Sequence, residues 1–102
     1  MVAILQRQIQ IIRPGKWAEL DEIDKKFDAV EGPLGFPSKR RYRSLVGGHT
    51  TDTLIIEREW ESLAALEAAY EKAYVSTERQ ALVQSLEPIL ERQYIELYQP
   101  LA

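Results

Sequence analysis

The spacing of apolar residues changes along this chain, and that change limits the available folds more than any other feature. Apolar and polar residues alternate from Val2 to Arg13, which is the pattern of a strand with two different faces. From Lys16 to Val30 the apolar residues recur at three- and four-residue spacing, which predicts an amphipathic helix. Pro14 and Gly15 separate the two segments, because proline ends a strand ladder and glycine permits a turn. A strand followed by a helix is therefore the first unit of the fold.

The middle of the chain predicts a loop and a hairpin. Two prolines and two glycines within 32–37 allow neither a helix nor a strand ladder. Strands are predicted over Lys39–Val46 and Thr53–Trp60. The pair Gly47-Gly48 can adopt the backbone angles of the turn between them, so the two strands should form a hairpin.

Two helices are predicted after the hairpin. Ser62 suits the N-cap of a helix that ends near Tyr74, because its hydroxyl can accept from a free backbone N–H. Thr77 and Gln80 have the capping-box spacing for the next helix. Pro88 should kink or restart that helix, since it removes one hydrogen bond and crowds the preceding turn.

Alternation returns over Gln93–Tyr98, and this last strand completes the order strand, helix, strand, strand, helix, helix, strand. That order is the split βαβ arrangement of the ferredoxin-like fold with one extra helix in its C-terminal half. We therefore predict one α+β domain over 1–102. Its antiparallel four-stranded sheet has the first and third strands at the centre, and the second strand is basic, as at an edge that avoids pairing with other chains.

Composition excludes several classes of function. The 102 residues contain no cysteine and one histidine, so thiolate sites are excluded and no metal or cofactor is expected. Thirteen basic and sixteen acidic residues give a net charge of −3, which does not favour nucleic acid. No apolar run approaches the ~20 residues of a membrane helix, and the first residues lack the basic start of a signal peptide. We expect a cytoplasmic protein with no nucleic-acid or membrane partner.

Helices on one side of the sheet leave its other side exposed. A register with Arg41 opposite Glu59 pairs opposite charges across the hairpin, and it also sets Arg43 opposite Glu57. An open face rich in amides and tyrosines suits a homodimer in which two sheets meet through a polar interface. The residues predicted on this open face include Gln6, Gln8, Gln10, Tyr94, Glu96 and Tyr98.

Short motifs in the chain resemble those of a known structural superfamily. Gln6-Arg7-Gln8 precedes the turn Pro14-Gly15-Lys16-Trp17, and Ile56 to Leu63 ends a strand in an aromatic residue followed by a serine cap. In these features the chain resembles the dimeric α+β barrel superfamily, in particular its NIPSNAP-like and antibiotic-biosynthesis-monooxygenase-like branch. The resemblance implies that two protomers join their sheets in a closed barrel, with ligands in a cleft between each sheet and its helices. Because members range from cofactor-independent monooxygenases and isomerases to proteins without a known role, it does not select a function.

The strands also predict a candidate ligand site. Alternation places Arg58 and Trp60 on the helix-facing side of the sheet, and Arg7 and Tyr42 are assigned to the same side. Arginines among apolar residues need partners, so they would hold an anionic or carbonyl-bearing ligand on which the rings stack. The alternative that Glu61 or a helix acid pairs these arginines stays open. The predicted ligand-binding residues are Arg7, Tyr42, Arg58 and Trp60.

Other candidate residues have simpler explanations. His49 lies at the predicted hairpin tip, where exposure is the rule and no partner positions it as a base. The basic run from Lys39 to Arg43 is explained by edge protection. Tyr94 and Tyr98 are expected to supply interface area rather than to donate protons.

The sequence therefore predicts a small-molecule-binding protein, built as a homodimeric barrel, whose ligand is anionic or aromatic. Two alternatives stay open. One is a cofactor-independent monooxygenase or isomerase that acts on an aromatic or polyketide-like substrate. The other is a structural or interaction module without a ligand, in which the chain's own side chains fill the cleft.

Overall fold

A computed structural model describes residues 3–102, and it contains one four-stranded antiparallel sheet with three helices on one face. The strand order is β2-β3-β1-β4, which confirms the predicted α+β, ferredoxin-like architecture with the first and third strands at the centre. Val2, where the first strand was predicted to begin, lies outside the described residues. The elements are β1 (Ile4–Ile12), α1 (Trp17–Glu31), β2 (Lys39–Arg43), β3 (Thr53–Trp60), α2 (Leu63–Val75), α3 (Thr77–Leu86) and β4 (Leu90–Tyr98).

Serine hydroxyls begin two of the helices. Ser62 caps α2 as predicted, since its Oγ accepts the N–H of Ala65 at 3.0 Å. At α3 the predicted Thr77 cap is wrong by one residue: Ser76 Oγ accepts the N–H of Arg79 at 3.3 Å. Both hydroxyls satisfy donors that a helix leaves unpaired in its first turn.

Pro88 ends the last helix instead of kinking it. The helix α3 stops at Leu86, and the N–H of Ile89 donates to the carbonyl of Leu86 at 2.9 Å in the turn that follows. Leu90 then pairs with Ile12 after a register shift in which Glu91 of β4 is skipped. The fourth strand is therefore three residues longer than predicted. The second strand is shorter, because β2 ends at Arg43.

The predicted placement of Gln6, Gln8 and Gln10 on the open face is wrong. Gln8 lies opposite Ile56 of β3, a residue of the core under the helices. Opposite side chains of an antiparallel pair project to the same side, so the three glutamines face the helices. By the same alternation, the open face of β1 carries Leu5, Arg7, Ile9 and Ile11.

The predicted hairpin register, with Arg41 opposite Glu59 and Arg43 opposite Glu57, is also wrong. Arg40, three residues earlier than the predicted partner, lies opposite Glu57. Its guanidinium is 2.9 Å from the carboxylate of Glu59. Cross-strand charge pairing is thus present, but in a register that the strand pattern alone did not select.

Alternate basic residues of β2 hold the sheet to α1. Lys39 Nζ lies 2.5 Å from Asp24 Oδ1 and 2.9 Å from Asp28 Oδ1. The guanidinium of Arg41 lies 2.6 Å from Asp21 and 2.9 Å from Asp24. These ion pairs fix which side of the second strand faces the helices.

The core under the helices has two parts. In the loop between α1 and β2, Gly35 adopts a left-handed φ of 97°, and the chain turns there so that Phe36 enters the second part. The first part lies under α1 and α3 and contains Ile12, Leu20, Phe27, Leu54, Ile56 and Leu86. The second part lies under α2 and contains Phe36, Trp60, Ala69 and Ala73.

The molecule is flat, with extents of 37 × 36 × 17 Å. Its accessible surface is 6612 Å², whereas a compact monomer of 11.8 kDa would expose about 5,900 Å². The single helical layer contributes to this excess, because no helix of residues 3–102 covers the other sheet face, and the exposed hairpin loop and C-terminal residues add to it. Within residues 3–102, no helix combines the length and the apolar character needed to span a bilayer.

Candidate ligand-binding cleft

The four predicted site residues do not share one cleft. Arg58 and Trp60 are buried on the helix-facing side, as predicted. Arg7 and Tyr42 lie on the open face, where they line a shallow depression together with His49. The sheet separates the two pairs. The prediction of a common cleft is wrong because the faces of β1 are reversed and the register of β2 is displaced.

Arg58 is neutralised by its own chain. Its Nη2 donates to Glu31 Oε1 at 2.9 Å, and its Nε donates to the carbonyl of Pro37 at 3.2 Å. Arg79 Nε donates to Glu31 Oε2 at 2.9 Å. Glu31, the last residue of α1, therefore holds two guanidinium groups. For Arg58 this is the alternative in which a helix acid supplies the partner.

Arg7 is also occupied by a neighbouring acid. Its Nε and Nη2 donate to Glu57 Oε2 at 3.1 and 2.9 Å, and this hydrogen bond raises the pKa of Arg7. The guanidinium lies 5.2 Å from the ring centre of Tyr98. A charged ligand would have to compete with both contacts for this side chain.

An opening with a largely apolar lining lies on the helix-facing side, between α2 and β4. We call this opening the α2–β4 cleft. It has a volume of about 330 Å³, which falls within the range of small-molecule sites. The helices do not extend over β4, so the inward side chains of that strand remain half exposed. Six side chains form its walls and floor: Gln6, Leu66, Tyr70, Tyr74, Ile95 and Leu97.

The cleft follows from the spacing of two elements. Leu66, Tyr70 and Tyr74 occur every four residues on α2 and therefore form one stripe. Ile95 and Leu97 alternate on β4 and project to one side of the sheet.

A directed series of hydrogen bonds ends at the floor of the cleft. The indole Nε1 of Trp60 donates to Gln6 Oε1 at 2.8 Å. Gln6 Nε2 then donates to the hydroxyl oxygen of Tyr70 at 2.7 Å. Because Gln6 is buried, both halves of its amide need partners, and the two aromatic side chains supply them.

Tyr70 is set in an aromatic and cationic environment. Its ring centre lies 5.0 Å from that of Phe36 and 6.1 Å from that of Tyr74. The guanidinium of Arg79 lies 5.6 Å from the Tyr70 ring centre. Burial raises the pKa of Tyr70, although the hydrogen bond from Gln6 lowers it in part. The hydroxyl is therefore a neutral hydrogen-bonding group at neutral pH.

The mouth of the cleft is acidic. Glu67 and Glu71 of α2 border it and are exposed. Within residues 3–102, no basic side chain lines the cleft. This charge distribution disfavours an anionic ligand.

A smaller polar cavity lies between the sheet and the first and third helices. Its volume is about 50 Å³, enough for one or two water molecules. Gln93 Oε1 accepts from the side-chain amides of Gln8 and Gln10 at 2.7 Å each. Gln10 Oε1 is the one buried side-chain polar atom of residues 3–102 without a hydrogen-bond partner. In the same residues, no cluster of histidine and carboxylate groups is suitable for a metal ion.

Comparison with solved structures identifies proteins of the same fold. A NIPSNAP domain protein from Burkholderia xenovorans superposes with a TM-score of 0.83 at 17% identity, covering 97% of this chain and 95% of its own. A NIPSNAP family protein from Agrobacterium tumefaciens gives 0.81 at 20% identity, covering 96% and 92%. A candidate antibiotic biosynthesis monooxygenase from Chloroflexus aurantiacus gives 0.67 at 14% identity, covering 97% and 93%.

These similarities confirm that the chain has the same ferredoxin-like fold as these proteins. At 14–20% identity they establish the fold and no activity. No protein-family model matches the sequence, and no curated protein matches it either.

Sequence reasoning missed Gln6 and Tyr70 as site residues. Gln6 was assigned to the wrong face of the sheet. The available signal was chemical: buried tyrosine and tryptophan usually require a hydrogen-bond partner. Trp60 and Tyr70 lie 54 and 64 residues from Gln6 in the chain. No local pattern could therefore identify Gln6 as their hydrogen-bond partner.

Proposed function

We propose that this chain binds a small, uncharged, largely apolar or aromatic molecule in the α2–β4 cleft. The supporting observation is that apolar side chains face one another there without packing together. Ile95 is 47% exposed, Leu97 is 48% exposed and Tyr74 is 67% exposed. Adjacent exposed apolar groups favour an apolar occupant, because covering them removes that surface from water.

The charges around the cleft narrow the ligand class. The sequence allowed an anionic or an aromatic ligand, on the strength of Arg7 and Arg58. Arg7 is paired with Glu57, and Arg58 is paired with Glu31. Since the mouth of the cleft is acidic, we favour the aromatic class.

A direct test uses 2-acetylnaphthalene as the probe and follows the indole ¹H–¹⁵N resonances of Trp60 and Trp17. We expect saturable changes at Trp60, which donates to a residue of the cleft. Leu97→Glu should weaken binding at least tenfold, because it places a carboxylate in the apolar wall. The control Leu45→Glu changes a residue that is 78% exposed in the hairpin loop. This control should leave the affinity for the probe unchanged. Absence of saturable binding, or an equal loss in both variants, would contradict the proposal.

We also propose that two copies pair through their open sheet faces, as the superfamily resemblance implies. Tyr42 is 46% exposed and Tyr98 is 41% exposed on that face, beside Ile55 and the aliphatic residues of β1. The flat shape of the chain supports this proposal, because a second copy would cover the excess surface.

Sedimentation of two matched variants tests the dimer. Ile55→Glu places a carboxylate in the open face and should shift the protein to a monomer. Leu63→Glu places one on α2, where Leu63 is 47% exposed, and should leave a dimer. A monomeric wild-type protein at tens of micromolar would contradict pairing.

A second candidate function is a cofactor-independent monooxygenase. The positioned hydroxyl of Tyr70 favours it, since such a group can stabilise charge on a substrate oxygen. The test reaction is anthrone oxidation, in which a ring CH₂ and O₂ give a carbonyl and water. Oxygen uptake that falls in Tyr70→Phe but persists in Leu45→Glu would support the enzyme, whereas no uptake by the wild-type protein would exclude this reaction.

A further inference from the structure

The hydrogen bonds at the floor of the cleft have only one consistent direction. An indole N–H can donate but cannot accept, so Trp60 fixes the oxygen of the Gln6 amide on its own side. The Gln6 NH₂ group must then point toward Tyr70. An amide turned the other way would set two donors against each other in a buried position, which costs the full desolvation of both groups.

The direction of the amide determines the role of the Tyr70 hydroxyl. Its oxygen accepts from Gln6 Nε2 at 2.7 Å, so its own proton cannot be used in that contact. Within residues 3–102, no side chain or carbonyl accepts that proton. Tyr70 and Gln6 both border the open volume of the cleft. A molecule in the cleft can therefore supply the acceptor for that proton.

We propose that Tyr70 selects ligands with a hydrogen-bond acceptor oxygen over hydrocarbons of the same shape. Tyr70 is the residue that touches the ligand. Gln6 and Trp60 are positioning residues that make Tyr70 a donor. This inference depends on the proposed binding of an apolar molecule in the same cleft, and it adds the chemical group that the molecule presents.

The surroundings of Tyr70 support a donor role over a wide pH range. Burial raises its pKa above the usual value for tyrosine, so the proton stays on the hydroxyl at neutral pH.

Two probes of nearly the same shape test this preference: 2-acetylnaphthalene carries a carbonyl, and 2-isopropenylnaphthalene carries a C=CH₂ group in its place. The quantity measured is the ratio of their dissociation constants in each variant. One hydrogen bond should make the ratio favour the ketone by about fivefold to tenfold in the wild-type protein relative to Tyr70→Phe. A general change of the cleft in Tyr70→Phe alters both affinities, so the ratio isolates the hydrogen bond to the carbonyl.

The positioning role has its own variant. Trp60→Phe keeps a ring in the core but removes the indole N–H, so the Gln6 amide is free to turn and to accept the Tyr70 proton itself. The ketone preference should then decrease, even though Trp60 does not line the cleft. The matched control is Trp17→Phe, which removes an indole N–H that donates to Asp52 at 3.0 Å and should leave the ratio unchanged.

The outcomes separate this inference from the proposed function. If neither probe binds, the proposed function fails and the inference fails with it. If both probes bind and Tyr70→Phe leaves the ratio unchanged, the cleft binds ligands but the selectivity is wrong. If Tyr70→Phe removes the preference and a folded Trp60→Phe retains it, Tyr70 is the donor and the positioning role is wrong. Tyr70→Phe decides the central claim even if Trp60→Phe does not fold.

Discussion

Tyr70 and Tyr98 lie on opposite faces of the same sheet, and both have a raised pKa for different reasons. Burial is the main cause for Tyr70, between α2 and the sheet. Tyr98 is exposed, and the main cause is the hydrogen bond that its hydroxyl donates to Glu96 at 2.7 Å. The hydroxyl proton of Tyr98 is thus already used within the protein, whereas that of Tyr70 is available to a ligand. The comparison supports the proposed binding on the helix-facing side of the sheet.

The charged pairs show the same contrast. On the helix-facing side the side chains of Arg58 and Glu31 are 5% and 7% exposed. On the open face the side chains of Arg7 and Glu57 are 37% and 16% exposed. In a single copy of the chain, water can replace a lost partner on the open face but not under the helices. The two faces should therefore respond differently to the same substitution.

The largest effect is expected for Glu31→Gln. The substitution leaves Arg58 and Arg79 buried without an anion, so the free energy of unfolding should fall by about 3–5 kcal/mol. The matched change Glu57→Gln on the open face should cost no more than about 1 kcal/mol. Urea unfolding of both variants measures the difference. Equal losses would mean that the two faces do not differ in how they screen charge.

A triple substitution separates unpaired charge from lost attraction. Replacing Arg58, Glu31 and Arg79 together by Met, Leu and Leu removes every charge of this group. Because burying ions is itself costly, the triple variant should unfold within about 2 kcal/mol of the wild-type protein and should be more stable than Glu31→Gln. A triple variant that is less stable than Glu31→Gln would show that the ion pairs themselves stabilise the fold.

The fold could be predicted from the sequence because its signals are local. The change from alternation to helical spacing, the turn at Pro14-Gly15 and the cap at Ser62 each lie within a few residues. Strand order followed from these elements and from topological rules. The element boundaries, the turn, the helix cap and the strand order do not depend on which side of a strand faces the helices.

The face of β1 could not be predicted because its inward side is polar. Alternation gives two sets of residues, and the usual rule places the apolar set inward. Here the distant Tyr70, Trp60 and Gln93 satisfy the inward glutamines, which local spacing cannot show. The aliphatic set is left on the open face, and this strengthens the case for covering that face with a second copy.

One signal for the correct faces was present in the chain. Lys39, Arg41 and Arg43 alternate on β2, and Asp21 with Asp24 forms an acidic stripe on α1. Matching the alternate basic residues to that stripe places them toward the helices. The same match places Tyr42 on the open face of the sheet, and thus on the side opposite to Arg58.

Alkaline titration of stability is the third prediction. Because the pKa of Tyr70 is raised in the folded state, the unfolded chain loses this proton first as the pH rises. The associated stability should be fully present below about pH 10, the ordinary tyrosine value, and should be lost as the pH rises through the folded pKa. Urea unfolding between pH 8 and 11 should show a smaller decline for Tyr70→Phe than for the wild-type protein. Parallel declines would mean that Tyr70 is not buried as described.

The smallest effect is expected at Tyr98, where Glu96→Gln should lower the pKa of Tyr98 toward its ordinary value and leave that of Tyr70 unchanged. Tyrosine ¹³Cζ titration resolves the two residues. Salt at 1 M should move Tyr98 in the same direction, because its shift depends on an exposed charge, and should not move Tyr70, whose shift depends on burial. The same titration reports on the open face. If a second copy covers it, the pKa of Tyr98 rises with protein concentration and that of Tyr70 does not. A Tyr98 pKa that is the same in dilute and concentrated protein would indicate that this face stays in water.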